Sequence, residues 1–253
     1  MNKYAHITEY LKEFLKAEVS KRGFKKVLVG LSGGLDSAVV AVLAGKVFKD
    51  ELLCVKMPSQ HSSESSLIDA DELCSDFSLK AITVSIEPLL KVYEELNPDM
   101  DRLRVGNFSS RMRMSTIFDI SARENALVLG TSNKSELMLG YGTLYGDMAC
   151  AINPIGDLYK SEIYKLAKYL GISKAIIEKA PSADLWQGQS DESDLGYTYA
   201  EIDKALNLLV DEKLSKESIL KKGIDKEMLE MIIKRVSSNS FKLEMPKIAR
   251  ISI

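Results

Sequence analysis

One short stretch, in which a buried-strand pattern turns through two glycines into an apolar helix, constrains the fold of this chain most. Residues 26–31 (Lys-Val-Leu-Val-Gly-Leu) form an apolar run of strand length, which is typical of a parallel strand covered on both faces. Gly33 and Gly34 follow, and without a Cβ they let the backbone turn tightly and approach a ligand. The helix that begins near Leu35 points its free N–H groups and partial positive charge at the same place. The stretch therefore predicts a cradle for an oligophosphate.

The loop itself, residues 32–37 (Ser-Gly-Gly-Leu-Asp-Ser), differs from two common phosphate loops. It lacks the Gly-Lys-Ser/Thr of a Walker A loop and the Gly-x-Gly-x-x-Gly of a dinucleotide fold. Ser32 and Ser37 add hydroxyl donors, whereas the Asp36 carboxylate would repel a phosphate unless a divalent cation lay between them. The loop therefore predicts a magnesium-bound nucleotide. The alternative is a plain glycine turn in which Asp36 and Ser37 are helix-capping residues.

Composition narrows the class of protein. The 253 residues, 45% of them hydrophobic, are enough for one large α/β domain with a substantial core. The 34 basic and 36 acidic residues give a net charge of −2 without a long charge block, which argues against nucleic acid as the main partner. No apolar run approaches the roughly 20 residues that cross a bilayer, and the polar amino terminus lacks a signal-peptide core. We therefore expect a cytoplasmic protein without a membrane partner.

The cysteines and histidines suggest no reactive site. Cys54, Cys74 and Cys150 are far apart and form no Cys-x-x-Cys motif, so we expect them to be packing residues. His6 and His61 have no carboxylate or cysteine at a spacing that would indicate a zinc site or a catalytic triad. Any chemistry must therefore use carboxylates, lysines, hydroxyls and a metal ion.

Strand and helix patterns alternate along the first third of the chain. Apolar residues at helical spacing predict an amphipathic helix over 3–21, whose apolar stripe suits a core or a subunit contact. After the glycine loop the patterns predict helices over 35–48 and 63–77 and strands over 51–57 and 81–86. This alternation predicts an α/β fold, a parallel twisted sheet with helices on both faces. Ligands gather at the carboxyl ends of the strands in such sheets.

The next helix pattern covers 109–125, and Ser109 or Ser110 is suited to cap its start. Arg111 and Arg113 would then lie in the first turn, where a cation opposes the helix dipole. A bound anion nearby would relieve that conflict. Two solvated arginines are the alternative.

A fourth strand pattern ends at Thr131, which would place this residue beside the glycine loop. Glu136 follows about one helical turn later, and we predict that it faces Asp36 across a shared Mg2+ ion. The competing interpretation makes Glu136 a capping-box partner of Ser132 or Asn133.

Later segments add a second group of candidates. The glycine-rich segment 139–147 suits an irregular loop that faces a ligand. A helix predicted over 159–170 carries Lys160 in its first turn, which is unfavourable unless an anion lies near, although an isolated lysine there is more often a surface residue. The acidic, aperiodic segment 181–196 predicts a lid or binding loop. Two further helix patterns follow, at 199–210 and 225–237.

Several of these segments carry a family resemblance. Residues 32–37 resemble the PP-loop of the ATP pyrophosphatases, which cleave ATP to AMP and pyrophosphate while activating an acceptor. In combination, the segments resemble ammonia-dependent NAD+ synthetase over nearly the whole chain. The other matching segments are Gly106-Asn107, residues 128–136, Tyr145-Gly-Asp147, Asn153-Pro-Ile155, residues 181–185, Asp191-Glu192, Leu195-Gly196 and Lys242-x-x-x-Pro246.

The resemblance implies the last step of NAD+ biosynthesis. ATP would adenylate the nicotinate carboxylate of deamido-NAD+, and ammonia would attack the acyl adenylate to give NAD+ and AMP. In-line attack on the α-phosphorus requires that the departing pyrophosphate be held and neutralised. The loop hydroxyls, Mg2+ and Lys160 suit that task.

The resemblance also implies the site residues. Asp36, Lys160 and Ser32 would be catalytic, and Asp36 and Glu136 would hold the metal. The implied ATP site comprises Gly30, Leu31, Ser32, Gly33, Gly34, Leu35, Asp36, Ser37, Arg113, Thr131, Lys160 and Ser182. The implied deamido-NAD+ site comprises Asn107, Arg111, Tyr141, Asp147 and Lys242, with Arg111 and Arg113 interchangeable between the two sites in this alignment.

Two positions depart from the family pattern. Many members carry Thr-Lys where this chain has Thr143-Leu144, and an acidic residue where it has Ala151. We expect any contact made by that lysine to be missing and one dinucleotide contact to be affected at Ala151, while neither departure touches the ATP half.

The resemblance and the chain length together predict the organisation. A glutaminase domain would need another 150 or so residues and a cysteine–histidine pair, so we expect a single domain over 1–253 that uses free ammonia. The family is homodimeric, with the dinucleotide site near the interface, and the helices at 3–21 and 109–125 are the candidate surfaces.

Two rival functions fit the sequence less well. A tRNA-modifying PP-loop ATPase would want paired cysteines and a basic surface. A nucleotide-binding module without turnover would not need Asp36, Glu136 and Lys160 together.

Overall fold

The computed structural model describes residues 2–182 and 189–251, and its first half is an open parallel sheet. The strands are β1 (Lys26–Gly30), β2 (Leu52–Lys56), β3 (Ala81–Thr83) and β4 (Ala126–Leu129). Their spatial order is β3-β2-β1-β4, and all neighbouring pairs are parallel. The parallel sheet predicted from the sequence is thereby confirmed, with the glycine loop at the carboxyl end of a central strand.

The helices cover most of the remaining described residues. In chain order they are α1 (Lys3–Lys21), α2 (Leu35–Phe48), α3 (Glu64–Asp76), α4 (Glu87–Leu96), α5 (Arg102–Glu124), α6 (Lys134–Leu139), α7 (Lys160–Leu170), α8 (Lys174–Glu178), α9 (Asp191–Leu195), α10 (Tyr199–Leu206), α11 (Lys216–Lys221) and α12 (Lys226–Asn239). A π-helical segment, Asn207–Asp211, continues α10. None of the described helices is long and apolar enough to cross a membrane.

Side-chain alternation along β1 builds a core on each face of the sheet. Val27 and Val29 point into the larger core, where α1, α2 and α7 pack. Leu28 points to the other face and packs with Ile117 and Ile120 of α5, because successive strand residues face opposite sides. The predicted three-layer arrangement, with helices on both faces, is therefore confirmed.

A second hydrophobic core lies among the C-terminal helices. It contains Tyr199, Leu206, Leu229 and Ile232 from α10 and α12, together with Leu139 from α6. These helices pack against the short helix that follows β4. They therefore support the carboxyl end of the sheet from outside the sheet itself.

The predicted start of α5 is wrong. The helix begins at Arg102 rather than near residue 109, and Asp101 caps it by accepting a hydrogen bond from Arg104 N (2.8 Å). Ser109 and Ser110 are buried within the helix. Arg111 and Arg113 are consequently mid-helix residues, where the dipole is weak, so their position gives no evidence for an anion. Gly106 is buried within α5, so packing outweighs its low helix propensity.

Other predicted boundaries also shift. The strand predicted over 81–86 ends at Thr83, and the short helices α8 and α11 were not predicted, because five or six residues show little periodicity. The predicted lid at 181–196 contains helix α9 in its second half. Its residues 183–188 lie outside the described part of the chain.

Candidate active site

The glycine loop joins β1 to α2 in the form that the sequence predicts. Gly33 has a φ of +79°, and a Cβ there would meet the Ser66 carbonyl oxygen of α3 at 1.9 Å. Gly34 is the N-cap of α2. Ser37 Oγ donates to Gly34 O (3.0 Å), and Gly34 N donates to Ser32 Oγ (3.2 Å). The loop thus exposes the first N–H groups of a helix whose start lacks intrahelical acceptors, as an oligophosphate site requires.

Three charged side chains converge beside this loop. Lys160, the first residue of α7, pairs with the Asp36 carboxylate, and its Nζ lies 3.4 Å from Glu136 Oε1. The Lys160 side chain is only 4% exposed, and the two carboxylates are 15% and 17% exposed. The predicted meeting of Asp36 and Glu136 is therefore present in the geometry, with an ammonium at their focus.

Asn133 connects the two carboxylates and reconciles the two interpretations of Glu136. Its Nδ2 donates to Asp36 Oδ1 (3.0 Å), and its Oδ1 accepts from Glu136 N (3.0 Å). Glu136 Oε2 accepts from Asn133 N (3.2 Å), which completes a capping box at the start of α6. Glu136 therefore caps its helix with one oxygen and faces Lys160 with the other.

Burial and charge set the protonation of this group. Burial, and then the neighbouring Asp36 carboxylate, raises the pKa of Glu136 to about 8. Burial alone would lower the pKa of Lys160, but the carboxylates of Asp36 and Glu136 raise it well above its ordinary value. The Lys160 ammonium therefore stays charged, whereas Glu136 keeps its proton up to about pH 8 unless a bound cation favours its ionised form.

Asp36 and Glu136 fit a magnesium site of the kind that is completed by substrate phosphates. Mg2+ is usually bound by one or two carboxylates together with phosphate oxygens, and both carboxylates here reach one point. Within residues 2–182 and 189–251, no group of three or more His, Cys, Asp or Glu side chains could hold a metal alone. Asp36 and Glu136 would hold the ion, which would supply positive charge opposite the phosphates when bound.

One cavity of about 1020 Å³ brings the predicted ATP and dinucleotide residues together. It is as large as the upper end of ordinary ligand pockets, roughly 1,000 Å³, so it has room for more than one substrate. From the ATP set it is lined by Gly30, Leu31, Ser32, Gly34, Leu35, Asp36, Ser37, Arg113, Thr131, Lys160 and Ser182, and from the other sets by Glu136, Asn107, Tyr141, Asp147 and Lys242.

Two predicted residues lie elsewhere. Gly33 packs against the backbone of α3, where it shapes the loop. Arg111 is exposed, and its Nε donates to Leu144 O (3.3 Å). Arg113 instead faces the cavity, where its Nε donates to Met57 O (3.0 Å) and fixes the loop after β2. The structure thus separates the two arginines that the sequence left interchangeable.

The dinucleotide candidates are held by contacts between α5 and the segment 139–147. Ser110 Oγ donates to Asp147 Oδ1 (2.7 Å), and Thr143 Oγ1 donates to Asn107 Oδ1 (2.8 Å). Lys242 Nζ donates to the carbonyls of Gly140 (2.7 Å) and Gly142 (2.9 Å). The predicted irregular loop is therefore an ordered wall of the cavity.

Sequence reasoning missed several residues of the site. Asn133 carried a signal, since asparagine is a common N-cap residue, but its bond to Asp36 joins residues 97 positions apart. Asp191 was placed in a lid, yet it is 3% exposed and lines the cavity. Tyr199 lies with its ring 5.4 Å from Lys160 Nζ and donates its hydroxyl to Asp191. No local pattern distinguishes this tyrosine from a core residue.

Comparison with known proteins agrees with this geometry. The sequence model of the NAD synthase family matches residues 7–246. The chain belongs to the NAD synthase family. A curated relative from Wolinella succinogenes, named NH(3)-dependent NAD(+) synthetase, is 54% identical over 97% of this chain and 95% of its own length.

Solved structures show the same fold. An NH3-dependent NAD synthetase from Campylobacter jejuni, in complex with the nitrate ion, has a TM-score of 0.83 and 38% identity, covering 99% of this chain and 100% of that one. An NMN synthetase from Francisella tularensis has a TM-score of 0.87 and 30% identity over the same shares of the two chains. The structural neighbours of this chain therefore include proteins that are named for different products.

Proposed function

We propose that this member of the NAD synthase family catalyses the ATP-dependent amidation of deamido-NAD+ by ammonia, giving NAD+, AMP and pyrophosphate. The observation that carries the proposal is the convergence of Asp36, Glu136 and Lys160 beside a PP-loop, within a cavity large enough for both substrates. The curated relative with 54% identity is named for ammonia-dependent NAD+ synthesis. The predicted ligase function is thus supported by both the site geometry and the family relationship.

The ATP half works by positioning and electrostatics. The N–H groups at the start of α2 and the hydroxyls of Ser32 and Ser37 hold the β- and γ-phosphates. Lys160 neutralises charge on the departing pyrophosphate, from a buried position where an ion pair is stronger than in water. Asp36 and Glu136 would hold Mg2+, which would supply positive charge at the same place. Adenylation then makes the nicotinate carboxylate reactive, because AMP is a far better leaving group than oxide.

The dinucleotide half orients the nicotinate for attack. Asn107, Tyr141, Asp147 and Lys242 line the same cavity from its α5 and C-terminal sides. We propose that they hold deamido-NAD+ with its carboxylate towards the α-phosphorus, so that ammonia can reach the acyl carbon once the adenylate has formed. Arg111 stays a prediction as a dinucleotide ligand, and its exposed position favours an outer contact.

We further propose a homodimer in the cytoplasm that uses ammonia through one catalytic domain. Of the two predicted surfaces, α5 fits better than α1. The apolar stripe of α1, including Leu11 and Leu15, is buried in the chain's own core, whereas Leu103 of α5 is 60% exposed and Leu96 of α4 is 75% exposed. Apolar surface of that kind suits a contact with a second copy.

Product analysis tests the proposed function. Purified protein with MgATP, ammonium and deamido-NAD+ is expected to release NAD+, AMP and pyrophosphate in equal amounts. With deamido-NAD+ labelled by 18O in its carboxylate, AMP should carry one labelled oxygen, because the carboxylate attacks the α-phosphorus and AMP leaves with that oxygen. Asp36→Ala serves as the inactive control. Release of ADP, or unlabelled AMP, would rule out the adenylate.

The amine donor and the second substrate are tested in the same assay. Glutamine should not replace ammonium. The likeness to an NMN synthetase favours one alternative substrate, the acid counterpart of NMN, which lacks the adenylyl half. A higher kcat/KM for that mononucleotide than for deamido-NAD+ would transfer the proposal to NMN synthesis.

A further inference from the structure

A buried carboxylate outside the cavity joins the starts of the two helices that carry Glu136 and Lys160. Asp203, on α10, is 5% exposed. Its Oδ1 accepts a hydrogen bond from Ser135 Oγ, and its Oδ2 accepts one from Ser161 N (2.8 Å). Ser135 belongs to the first turn of α6 and Ser161 to the first turn of α7. One carboxylate therefore bonds both helix starts.

Ser135 extends this connection to the backbone of the candidate catalytic lysine. Its Oγ accepts from Lys160 N (2.9 Å) while donating to Asp203. The Ser135 side chain is fully buried, so water cannot replace a lost partner without cost. The residues next to Ser135 and Ser161 are Glu136 and Lys160, respectively. The connection consequently fixes the backbone from which both site side chains project.

A second carboxylate repeats the connection on the same side of the two helices. Asp211 accepts from Lys134 Nζ (2.8 Å), at the first residue of α6, and from the hydroxyl of Tyr159 (2.8 Å), at the N-cap of α7. Asp211 is more exposed than Asp203, with 35% of its side-chain surface accessible. Its contribution is therefore expected to be the smaller one.

The π-helical segment explains how both carboxylates reach the same target. In a regular α-helix, residues eight apart point roughly 80° away from each other around the axis. Residues 207–211 form a π-helix, whose wider turn advances each residue by a smaller angle. This brings Asp211 back towards the face that carries Asp203. π-segments often occur near functional sites.

We propose that Asp203, assisted by Asp211, is a positioning residue for the proposed NAD+ synthesis, holding the first turns of α6 and α7 so that Glu136 and Lys160 meet Asp36. This inference rests on the proposed function. Neither carboxylate touches substrate, and both act through Ser135, Lys134, Tyr159 and the Ser161 amide.

Loss of this connection should lower turnover. A displacement of about 1 Å at reacting groups lowers rates by up to roughly 100-fold. Tyr199, one turn before Asp203 on α10, also lies under the Lys160 ammonium, 5.4 Å away. The position of α10 thus influences the position of Lys160 through Asp203 and Tyr199, even though α10 belongs to the second core.

The test compares Asp203→Ala with Asp225→Ala. Asp225 caps α12 by accepting from Met228 N (2.8 Å) and Tyr197 OH (3.2 Å), so both variants lose a carboxylate that bonds a helix start, but only one of these is next to the site. At a temperature where both variants are folded, Asp203→Ala should lower kcat roughly 10- to 100-fold, with a smaller rise in KM. Asp225→Ala should keep the wild-type kcat despite its lower melting temperature.

Two milder variants separate positioning from folding. Asp203→Asn can still accept from Ser161 N and can donate to Ser135 Oγ, so it should recover part of kcat. Ser135→Ala removes only the bridging hydroxyl, and it is the test if Asp203→Ala does not fold. In Asp203→Ala and in Ser135→Ala, the Lys160 and Ser161 amides should exchange hydrogen faster than they do in Asp225→Ala.

The outcomes distinguish the two proposals. A wild-type protein that forms no NAD+ overturns the proposed function. An active wild type whose Asp203→Ala or Ser135→Ala variant keeps the full kcat per folded molecule overturns only the positioning role. Equal loss of kcat in Asp225→Ala also overturns it, because the effect would then follow stability alone.

Discussion

Residues 32–37 and residues 139–147 both turn through glycines beside the same cavity, but different contacts hold them. In the first segment the hydrogen bonds that shape the backbone turn are local, although the Asp36 side chain binds the distant Asn133 and Lys160. Ser32 N donates to Ser37 Oγ (3.3 Å), and Ser37 Oγ donates to Gly34 O (3.0 Å). Both bonds join residues within the loop itself, which connects β1 to α2.

The second segment is held by distant parts of the chain. Asp147 N donates to Ser110 Oγ (2.8 Å), 37 residues away, and Lys242 Nζ binds the Gly140 carbonyl (2.7 Å) across 102 residues. A Cβ on Gly140 would meet Asn239 at 2.1 Å. This loop therefore takes its shape from α5 and the C-terminal residues that press on it.

The difference divides the site into two kinds of wall. The glycine-loop part of the proposed ATP site is built by one continuous strand, loop and helix, so changes there should affect chemistry directly. The proposed dinucleotide wall, formed by residues 139–147 with the parts of α5 and of the C-terminal segment that bind them, is assembled from separate elements. A substitution there should weaken substrate binding according to the hydrogen bonds that it removes. The following substitutions test this division.

The largest effect is expected for Gly33→Ala. At a φ of +79° the alanine would have to adopt the left-handed conformation, which costs about 1–2 kcal/mol. The added Cβ would also meet the Ser66 carbonyl oxygen at 1.9 Å. Because the loop must move away from α3, kcat should fall about 100-fold or more. Gly23→Ala is the matched control, with a φ of +77° and no atom within 4 Å. The melting temperature of Gly23→Ala should fall, while its kcat should stay at the wild-type value. Comparable activity in Gly33→Ala and Gly23→Ala would contradict a rigid loop.

An intermediate effect is expected for Ser110→Ala. Asp147 then loses the hydroxyl that both donates to its carboxylate and accepts from its amide. A lost buried hydrogen bond costs about 1.5 kcal/mol, so the KM for deamido-NAD+ should rise about tenfold with little change in kcat. Ser109→Ala removes a neighbouring hydroxyl that bonds within α5, to Val105 O (2.9 Å). Steady-state kinetics should show wild-type KM for that control, and an equal rise in both would mean that α5 itself had shifted.

The smallest effect is expected for Lys242→Met. The ammonium holds the Gly140 and Gly142 carbonyls, but it is partly exposed, so each bond is weakened by solvent. We expect a few-fold rise in the KM for deamido-NAD+ and an unchanged KM for ATP. Lys247→Met, at an exposed ion pair with Glu244, should change neither constant. A large loss in kcat for Lys242→Met would place this lysine in the chemistry rather than in the dinucleotide wall.

The sequence by itself determined the sheet and the PP-loop, and it predicted that Glu136 faces Asp36. Strand alternation, glycine turns and strand-end positions are local properties, and parallel strands bring their carboxyl ends to one edge. For the same reason, sequence reasoning failed where tertiary contacts outweighed local preference. The buried Gly106 lies inside α5 because packing compensates for its propensity, and this moved Arg111 and Arg113 away from the helix start.

Only the tertiary structure decided which distant groups meet. Asn133 joins Asp36 to Glu136, and Asp203 joins the starts of α6 and α7. Neither contact has a periodic or spacing signal, because the partners approach only after the second core has packed against the sheet. The cost of ordering such separated segments is met by burial of the whole core. A pattern read along the chain therefore predicts the glycine loop but not the side chains that hold the lysine in place.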